Sequence, residues 1–143
     1  MPLDVAGVSD VEPETSRGSG NWVELGQGAE SVYLYYFDND KELSTLKGQA
    51  TWACKIGYTT DDVVRRVTSQ TKTARAYKPI IAVVIRSDNA FYLEATIHNA
   101  FKLIDRHFGE RDGVGYEWFD TSPDELIRWY AQFESLMKAF QVR

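Results

Sequence analysis

The stretch of residues 51–67, TWACKIGYTTDDVVRRV, constrains the fold of this chain more than any other. It is typical of a strand, a short polar turn and the first turns of a helix. The lone Gly57 near the end of the strand indicates a bulge or a close approach of another group to the backbone. The four polar residues after the strand provide N-cap side chains for a helix that opens at about Val63 and carries Arg65 and Arg66. A polar strand end followed by paired arginines predicts a surface that faces phosphate.

The size of the chain, 143 residues with 43% hydrophobic content, predicts one globular domain. No apolar run approaches the ~20 residues that a membrane span requires, so we expect no membrane partner. The N-terminus lacks the basic start and the apolar centre of a secretory signal, and the single Cys54 has no partner for an internal disulfide. We therefore expect a cytoplasmic protein.

Residues 1–30 are rich in Gly, Ser, Pro and acidic residues, with six acidic side chains against Arg17 alone. Such a segment buries too little apolar surface to offset its ordering entropy, so we predict a flexible acidic tail. Transient docking or a short strand at residues 22–25 is the alternative. The ordered domain is predicted to span residues 31–143.

The domain is predicted to be α+β, with a small antiparallel sheet flanked by helices. Residues 38–50 are predicted to be a long polar hairpin loop that joins the first two strands. A nearly continuous apolar run at residues 79–86 predicts the central strand of the sheet. The other predicted elements are strands at 31–37, 52–58 and 116–119, a helix at about 62–72, a helix capped by Ser87 and Asp88 that ends near 105, and a last helix that follows a capping box at 122–125.

Both amphipathic helices carry apolar stripes that should face the core. The stripe residues are Leu93, Ile97, Ala100 and Ile104 on the first, and Leu126, Tyr130, Phe133, Met137 and Phe140 on the last.

The net charge of -5 argues against nucleic acid when it is taken alone, because binding to the DNA backbone rests on Lys and Arg. Residues 47–86, however, contain eight basic side chains and two acidic ones. This basic zone predicts DNA contact, and the alternative is a solvated surface. The predicted DNA-binding residues are Arg65, Lys72, Arg75 and Lys78.

Five short motifs follow one another along the domain: VYLYY at 32–36, KIG at 55–57, DVVRRV at 62–67, LEATIHNAF at 93–101 and EWF at 117–119. In this order they resemble the GIY-YIG nuclease superfamily. The K-I-G form of the second motif, with E-x-x-x-H-x-x-F and a late EWF, looks like the phage-type branch. The resemblance covers about residues 31–120. It implies an endonuclease that hydrolyses DNA phosphodiester bonds with one divalent metal, usually Mg²⁺.

The resemblance also implies roles for single residues. Tyr33 matches the tyrosine of the first motif, Glu94 matches the metal-binding glutamate, and Lys55 stands where the second tyrosine would be. Arg65 and Arg66 compete for the role of the helix arginine, and Arg66 is preferred because an apolar residue follows it. The alternatives are a packing role for Tyr33, a capping or solvated role for Glu94, and an edge-strand lysine for Lys55.

His98 lies four residues after Glu94 on the same helix face. It could be a second metal ligand, a proton donor to the leaving oxygen or a hydrogen-bonded core histidine, and the sequence leaves all three open. Glu117 is expected either to orient Arg66 or to close the sheet. No Cys/His cluster indicates zinc, and no glycine-rich loop indicates a nucleotide cofactor.

Three departures from the superfamily pattern argue against turnover, and the altered first motif and the missing asparagine, with the acidic net charge, favour a second hypothesis. Ser31 stands where glycine is usual, the hairpin connection is long, and the late asparagine of many relatives has no clear counterpart. The alternative is a nuclease-fold module that binds nucleic acid or protein without cutting it. The acidic tail could also occupy the basic groove and inhibit the protein. No recognition domain is visible, so specificity would come from a protein partner, from a homodimer or not at all.

Overall fold

The computed structural model describes residues 16–17, 21–71, 78–109 and 117–141, and within them it contains seven strands and four helices. The strands are β1 (Ser16–Arg17), β2 (Val23–Gly26), β3 (Glu30–Phe37), β4 (Trp52–Thr59), β5 (Pro79–Ser87), β6 (His107–Gly109) and β7 (Trp118–Thr121). The helices are α1 (Asp38–Leu46), α2 (Val63–Thr71), α3 (Ala90–Leu103) and α4 (Pro123–Gln141). The prediction of an α+β domain is confirmed.

The sheet is mixed but mostly antiparallel, with the order β1-β2-β5-β3-β4-β7-β6. β3 pairs with β4 on one side and with β5 on the other, both antiparallel, so the predicted hairpin of the first two strands is confirmed. β3 is therefore the central strand of the sheet, and β5 lies beside it. This corrects the prediction that residues 79–86 form the central strand. β3 is buried on both faces because its β-branched and aromatic side chains alternate between two cores.

Helices cover the two faces of the sheet and create those two cores. On one face, α3 and α4 pack against a cluster that includes Leu34 and Ile56. On the other face, α2 packs Val63 and Val67 against a cluster that includes Tyr33. The odd-numbered side chains of β3 thus face α2, because successive residues of a strand point to opposite sides.

The predicted hairpin loop at residues 38–50 is wrong, because most of it is helix α1. Asp38 and Asp40 lie in its first turn, where acidic side chains complement the helix dipole. Gly48 follows its end with a φ of 75°, the left-handed conformation that commonly stops a helix. None of its residues is buried. The apolar periodicity that usually indicates a helix is therefore weak here.

The predicted boundary between a flexible tail and an ordered domain at Ser31 is also wrong, because residues 23–26 form β2 inside the sheet. β2 runs parallel to β5, and Leu25 is only 1% exposed. The short-strand alternative is the one observed. The pairing partner lies about sixty residues away, so the local composition did not show it. Residues 1–15 and 18–20 of the predicted tail lie outside the described residues.

Arg86 holds the turn between β2 and β3 in place. Its guanidinium donates hydrogen bonds to the Gly28 carbonyl (3.2 Å), the Ala29 carbonyl (3.4 Å) and Ser31 Oγ (3.0 Å). A side chain at Gly28 would collide with the backbone of Ser87. Arg86, one of the cations counted in the predicted basic zone, therefore has a structural role.

Helix α3 begins at Ala90, and its N-terminus differs from the predicted cap. Ser87 Oγ accepts the Asn89 N–H (2.9 Å), whereas the carboxylate of Glu30 accepts the Ala90 N–H (3.2 Å). The stripe prediction holds for Leu93 and Ile97, which are buried. Ala100 is half-buried, and Ile104 is exposed because the helix ends at Leu103, so Phe101 fills the end of the core instead.

Helix α4 begins as predicted, with the Glu125 N–H donating to Ser122 Oγ (3.1 Å). Leu126 and Tyr130 are buried and Phe133 is half-buried, but the predicted stripe fails at Met137 and at Phe140, which is 69% exposed. The helix has 19 residues and is ~28 Å long, so its last turns extend past the core.

The loop predicted before residue 116 contains an unexpected strand, β6. It pairs antiparallel with β7, with His107 opposite Phe119. The predicted short strand at residues 116–119 is confirmed as β7, although Tyr116 lies outside the described residues. In the part of the chain that is described, we find no helix with the length and hydropathy of a membrane span.

Candidate active site

The aromatic ring of Tyr33 lies over Gly57, its cross-strand partner in the pairing of β3 with β4. A Cβ atom at position 57 would lie 2.6 Å from the Tyr33 hydroxyl oxygen and 2.8 Å from its ring carbon Cζ. Only a residue without a side chain leaves room for the ring in this position. The close approach predicted from the lone glycine is confirmed.

Two side chains of α2 meet the Tyr33 hydroxyl. The hydroxyl donates a hydrogen bond to Gln70 Oε1 at 3.1 Å. Burial raises the pKa of Tyr33, and hydrogen bonding and positive charge from Arg66 partly oppose that increase. Arg66 and Gln70 are four residues apart, so one helix face presents both of them to the tyrosine. Gln70 escaped the sequence analysis, although this spacing was a signal for it.

Arg65 points elsewhere. Its side chain is 76% exposed and pairs with Asp61 at 3.2 Å. Its backbone N–H donates to Asp62 Oδ1 at 2.9 Å, which makes Asp62 the residue that caps α2. The helix therefore opens at Val63 as predicted. The structure brings Arg66 to Tyr33 and leaves Arg65 at the surface.

Lys55 lies on β4 opposite Tyr35 of β3 and Trp118 of β7. β4 is thus an interior strand, and the alternative of an edge-strand lysine is wrong. The alternation of side chains along the strand puts Lys55 on the same face as Gly57. Its ammonium forms an ion pair with Glu117 Oε1 at 2.9 Å. Glu117 thus contacts the lysine, whereas the sequence suggested that it orients Arg66 or closes the sheet.

Glu94 lies on α3 and interacts electrostatically with these charged groups. Its carboxyl has a pKa raised to about 7, first because of burial and second because of the negative charge of Glu117. The positive charges of Lys55 and Arg66 oppose that increase. Although α3 and α2 cover opposite faces of the sheet, these three charged groups act on the Glu94 carboxyl. Three of the five residues proposed for catalysis, Lys55, Arg66 and Glu94, thus interact through their charges.

His98 hydrogen-bonds through Nε2 to the Ile56 carbonyl of β4 at 2.7 Å. Because a carbonyl can only accept, Nε2 carries the proton in this contact. Glu94 Oε2 lies 3.9 Å from the same nitrogen, and the ring packs at an angle against Phe119. Burial lowers the pKa of His98, which favours the neutral ring. Of the three roles left open for His98, this geometry favours the hydrogen-bonded core histidine.

The predicted DNA-binding residues are only partly described. Arg65 and Lys78 are exposed, whereas Lys72 and Arg75 lie outside the described residues. Lys55 and Arg86, both counted in the basic zone, are engaged with Glu117 and with the turn before β3. The cationic surface beside Tyr33 is therefore smaller than the sequence count suggested.

Glu94 is the carboxylate that the resemblance assigns to a divalent cation. Among the described residues, no group of three or more His, Cys, Asp or Glu side chains could hold a metal ion. A carboxylate completed by water is nevertheless a usual environment for Mg²⁺. The raised pKa of Glu94 means that its charged form lacks full compensation in this site, and a bound cation would supply that compensation. The role of Glu94 as a magnesium ligand stays a prediction.

Residues 31–134 match the model of the T5orf172 domain family. The match covers most of the chain and includes Tyr33, Lys55, Arg66 and Glu94. The chain belongs to this family, which is a phage-associated family related to endonucleases. No curated protein and no solved structure matches the chain.

Proposed function

We propose that this chain is a metal-dependent endonuclease of the GIY-YIG type that hydrolyses DNA phosphodiester bonds. The single observation that carries the proposal is the Tyr33 hydroxyl, set over Gly57 and met by Arg66 and Gln70. A strand tyrosine with a purely packing role would not require a glycine partner and two polar contacts. The membership in a family related to endonucleases supports the same conclusion.

In this proposal Arg66 binds the scissile phosphate. Its guanidinium offers a planar fork of donors for phosphate oxygens, and the side chain is exposed. Its positive charge and hydrogen bonding also act on the Tyr33 hydroxyl, which belongs to a fully buried residue.

Tyr33 positions the attacking water. Its proton is directed to Gln70 Oε1, so the remaining lone pairs of the oxygen can accept a hydrogen bond from water. The raised pKa of Tyr33 keeps the hydroxyl protonated near neutral pH, which favours orientation of the water over outright proton removal. Lys55 lies on the next strand and contributes positive charge to the same face.

Glu94 would hold the divalent cation, Mg²⁺ or a similar ion. When it is bound, the ion supplies Lewis-acid stabilisation for the charge that develops on the phosphate. The Glu94 carboxyl must be ionised to hold it, and its pKa of about 7 places that ionisation near neutral pH. The hydrogen bond of His98 to the Ile56 carbonyl joins α3 to β4. It therefore holds the helix that carries Glu94 at a fixed distance from this strand.

The proposal is tested by incubating the protein with supercoiled plasmid in Mg²⁺, in Mn²⁺ and in excess EDTA. Nicked circles should accumulate with either metal and not with EDTA. The same incubations with a folded RNA would show whether the activity is limited to DNA. A pure preparation that leaves the plasmid intact in both metals over long incubation would refute the proposal.

A second candidate function is a module of the same fold that binds nucleic acid without cutting it. Two observations favour it. Lys55, a cation that the endonuclease would use, is paired with Glu117. The chain also has a net charge of -5. Binding to DNA that needs no metal and weakens with salt, without cleavage, would establish it. Cytoplasmic location, a protein partner or homodimer, and inhibition by the acidic tail stay predictions.

A further inference from the structure

Glu117 lies immediately before β7, and its backbone is fixed beside β4. Its carbonyl oxygen accepts the Ile56 N–H at 3.0 Å, which extends the pairing of the two strands by one residue. Its carboxylate meets the Lys55 ammonium at 2.9 Å. The side chains differ in exposure, at 5% for Lys55 and 43% for Glu117. The Lys55 side chain is thus almost fully buried, whereas the Glu117 side chain is partly exposed to solvent.

We propose that Glu117 is a positioning residue of the candidate active site, which orients the Lys55 ammonium until a substrate phosphate takes its place. This inference rests on the proposed nuclease function. The residue acts through Lys55 and is not itself assigned a contact with the reacting atoms.

The buried ammonium of Lys55 is costly without a partner of opposite charge. An ammonium that is almost fully buried requires an anionic partner, because removing a single partner from such a pair leaves the other charge uncompensated. Glu117 meets this need in the free protein. A phosphate group can meet it in the complex with DNA. Since the carboxylate is the more exposed member of the pair, it can turn to solvent when phosphate arrives.

The charge of Glu117 also raises the pKa of Glu94, after burial. Within the described residues, the site contains two cations, Lys55 and Arg66, and two carboxyl groups, Glu94 and Glu117.

We therefore expect Glu117→Gln to have opposite effects on DNA binding and on the cleavage rate. The variant removes a negative charge beside the phosphate, so DNA should bind about three- to tenfold more tightly at low salt. Lys55 loses the carboxylate that lies 2.9 Å from its ammonium, so the single-turnover cleavage rate should fall about 10- to 100-fold.

The experiment uses two measurements on the full chain. DNA affinity is measured by fluorescence anisotropy in EDTA, and cleavage by single-turnover kinetics in Mg²⁺. Glu117→Asp should restore most of the cleavage rate. The matched control is Glu125→Gln, which breaks a pair of equal length, 2.9 Å, with Arg106. The control should leave both readouts within about twofold of wild type.

Tighter binding and slower cleavage in Glu117→Gln would establish the proposal. Unchanged DNA affinity would overturn it, and so would equal effects in Glu125→Gln. If the wild type does not cut DNA, the proposed function fails. The anisotropy still decides whether Glu117 competes with phosphate for Lys55, because it does not need cleavage.

Discussion

The hydroxyl oxygen of Tyr33 lies 2.6 Å from the point where a side chain at Gly57 would begin. The two residues face each other across β3 and β4. The K-I-G motif thus has a steric role, because its glycine gives the tyrosine ring the space to reach Arg66 and Gln70.

Replacing Gly57 with alanine should displace the ring of Tyr33. The added carbon lies too close to the ring and its oxygen, so we expect Gly57→Ala to lose about 1–3 kcal/mol of stability and most of its cleavage activity. Gly48→Ala is the control, since position 48 has open space and costs only backbone strain at a φ of 75°. Thermal denaturation and plasmid nicking measure both effects. Wild-type activity in Gly57→Ala would contradict the steric account.

Removing the hydroxyl of Tyr33 should affect the reaction far more than the fold. Tyr33→Phe keeps the ring that packs in parallel with Tyr35, with ring centroids 6.1 Å apart, but loses the bond to Gln70. We expect a decrease in cleavage rate of about 10²–10⁴. Tyr35→Phe, a buried neighbour on the same strand, should lose less than about threefold. Similar losses in both variants would mean that the hydroxyl of Tyr33 has no special role.

The two adjacent arginines should behave differently. Arg66→Ala removes the group at the Tyr33 hydroxyl, and we expect its single-turnover rate to fall about 10²–10³-fold. Arg65→Ala breaks only an exposed ion pair with Asp61. It should therefore weaken DNA binding a few-fold at low salt and leave the saturated rate unchanged. The reverse ranking in rates measured at saturating protein would assign the helix-arginine role to Arg65.

The stability of the protein should fall as the pH rises from about 4.5 to about 7. The pKa of Glu94 is raised from 4.5 to about 7 in the folded state, so in this window the unfolded chain has released a proton that the folded chain still holds. The folded state is favoured below the window and loses that advantage as Glu94 ionises, by roughly 2–3 kcal/mol. Glu94→Gln should lack this contribution.

Urea denaturation of the wild type and Glu94→Gln at several pH values isolates the effect of Glu94, because other titrating groups are common to both proteins. The difference between the two unfolding free energies should change across the window and become constant above it. A constant difference from pH 4 to pH 8 would show that the carboxyl titrates normally. Addition of Mg²⁺ should shift the window to lower pH, because the cation competes with the proton.

The parts of the fold that the sequence predicted correctly depend on signals close together in the chain. The alternation and β-branched content of residues 31–37 and 52–58 indicated two strands, and both formed. Asp62 and Ser122 lie directly before apolar helical patterns, and both act as caps. Gly57 was correctly expected to allow a close approach, although the group that approaches it was not named.

The parts that the sequence missed depend on contacts between distant segments or on weak patterning. β2 is a strand because β5 lies beside it, and α1 buries no residue that would show periodicity. In the site, Gln70 and the pair of Lys55 with Glu117 follow from the way α2 and β7 meet the sheet. The spacing of Arg66 and Gln70 indicates a shared helix face, but no spacing along the chain pairs Lys55 with Glu117. The roles assigned to Lys72 and Arg75 stay predictions.

The central claim of the proposed function is that Glu94 holds a metal ion that acts on the same phosphate as Arg66 and Tyr33. The most direct test is single-turnover nicking of supercoiled plasmid at pH 8 in Mg²⁺ by the wild type and by Glu94→Gln. We predict that the variant binds the plasmid at least as tightly as the wild type and nicks it at least about a hundredfold more slowly. Equal nicking rates in the two proteins would contradict the account.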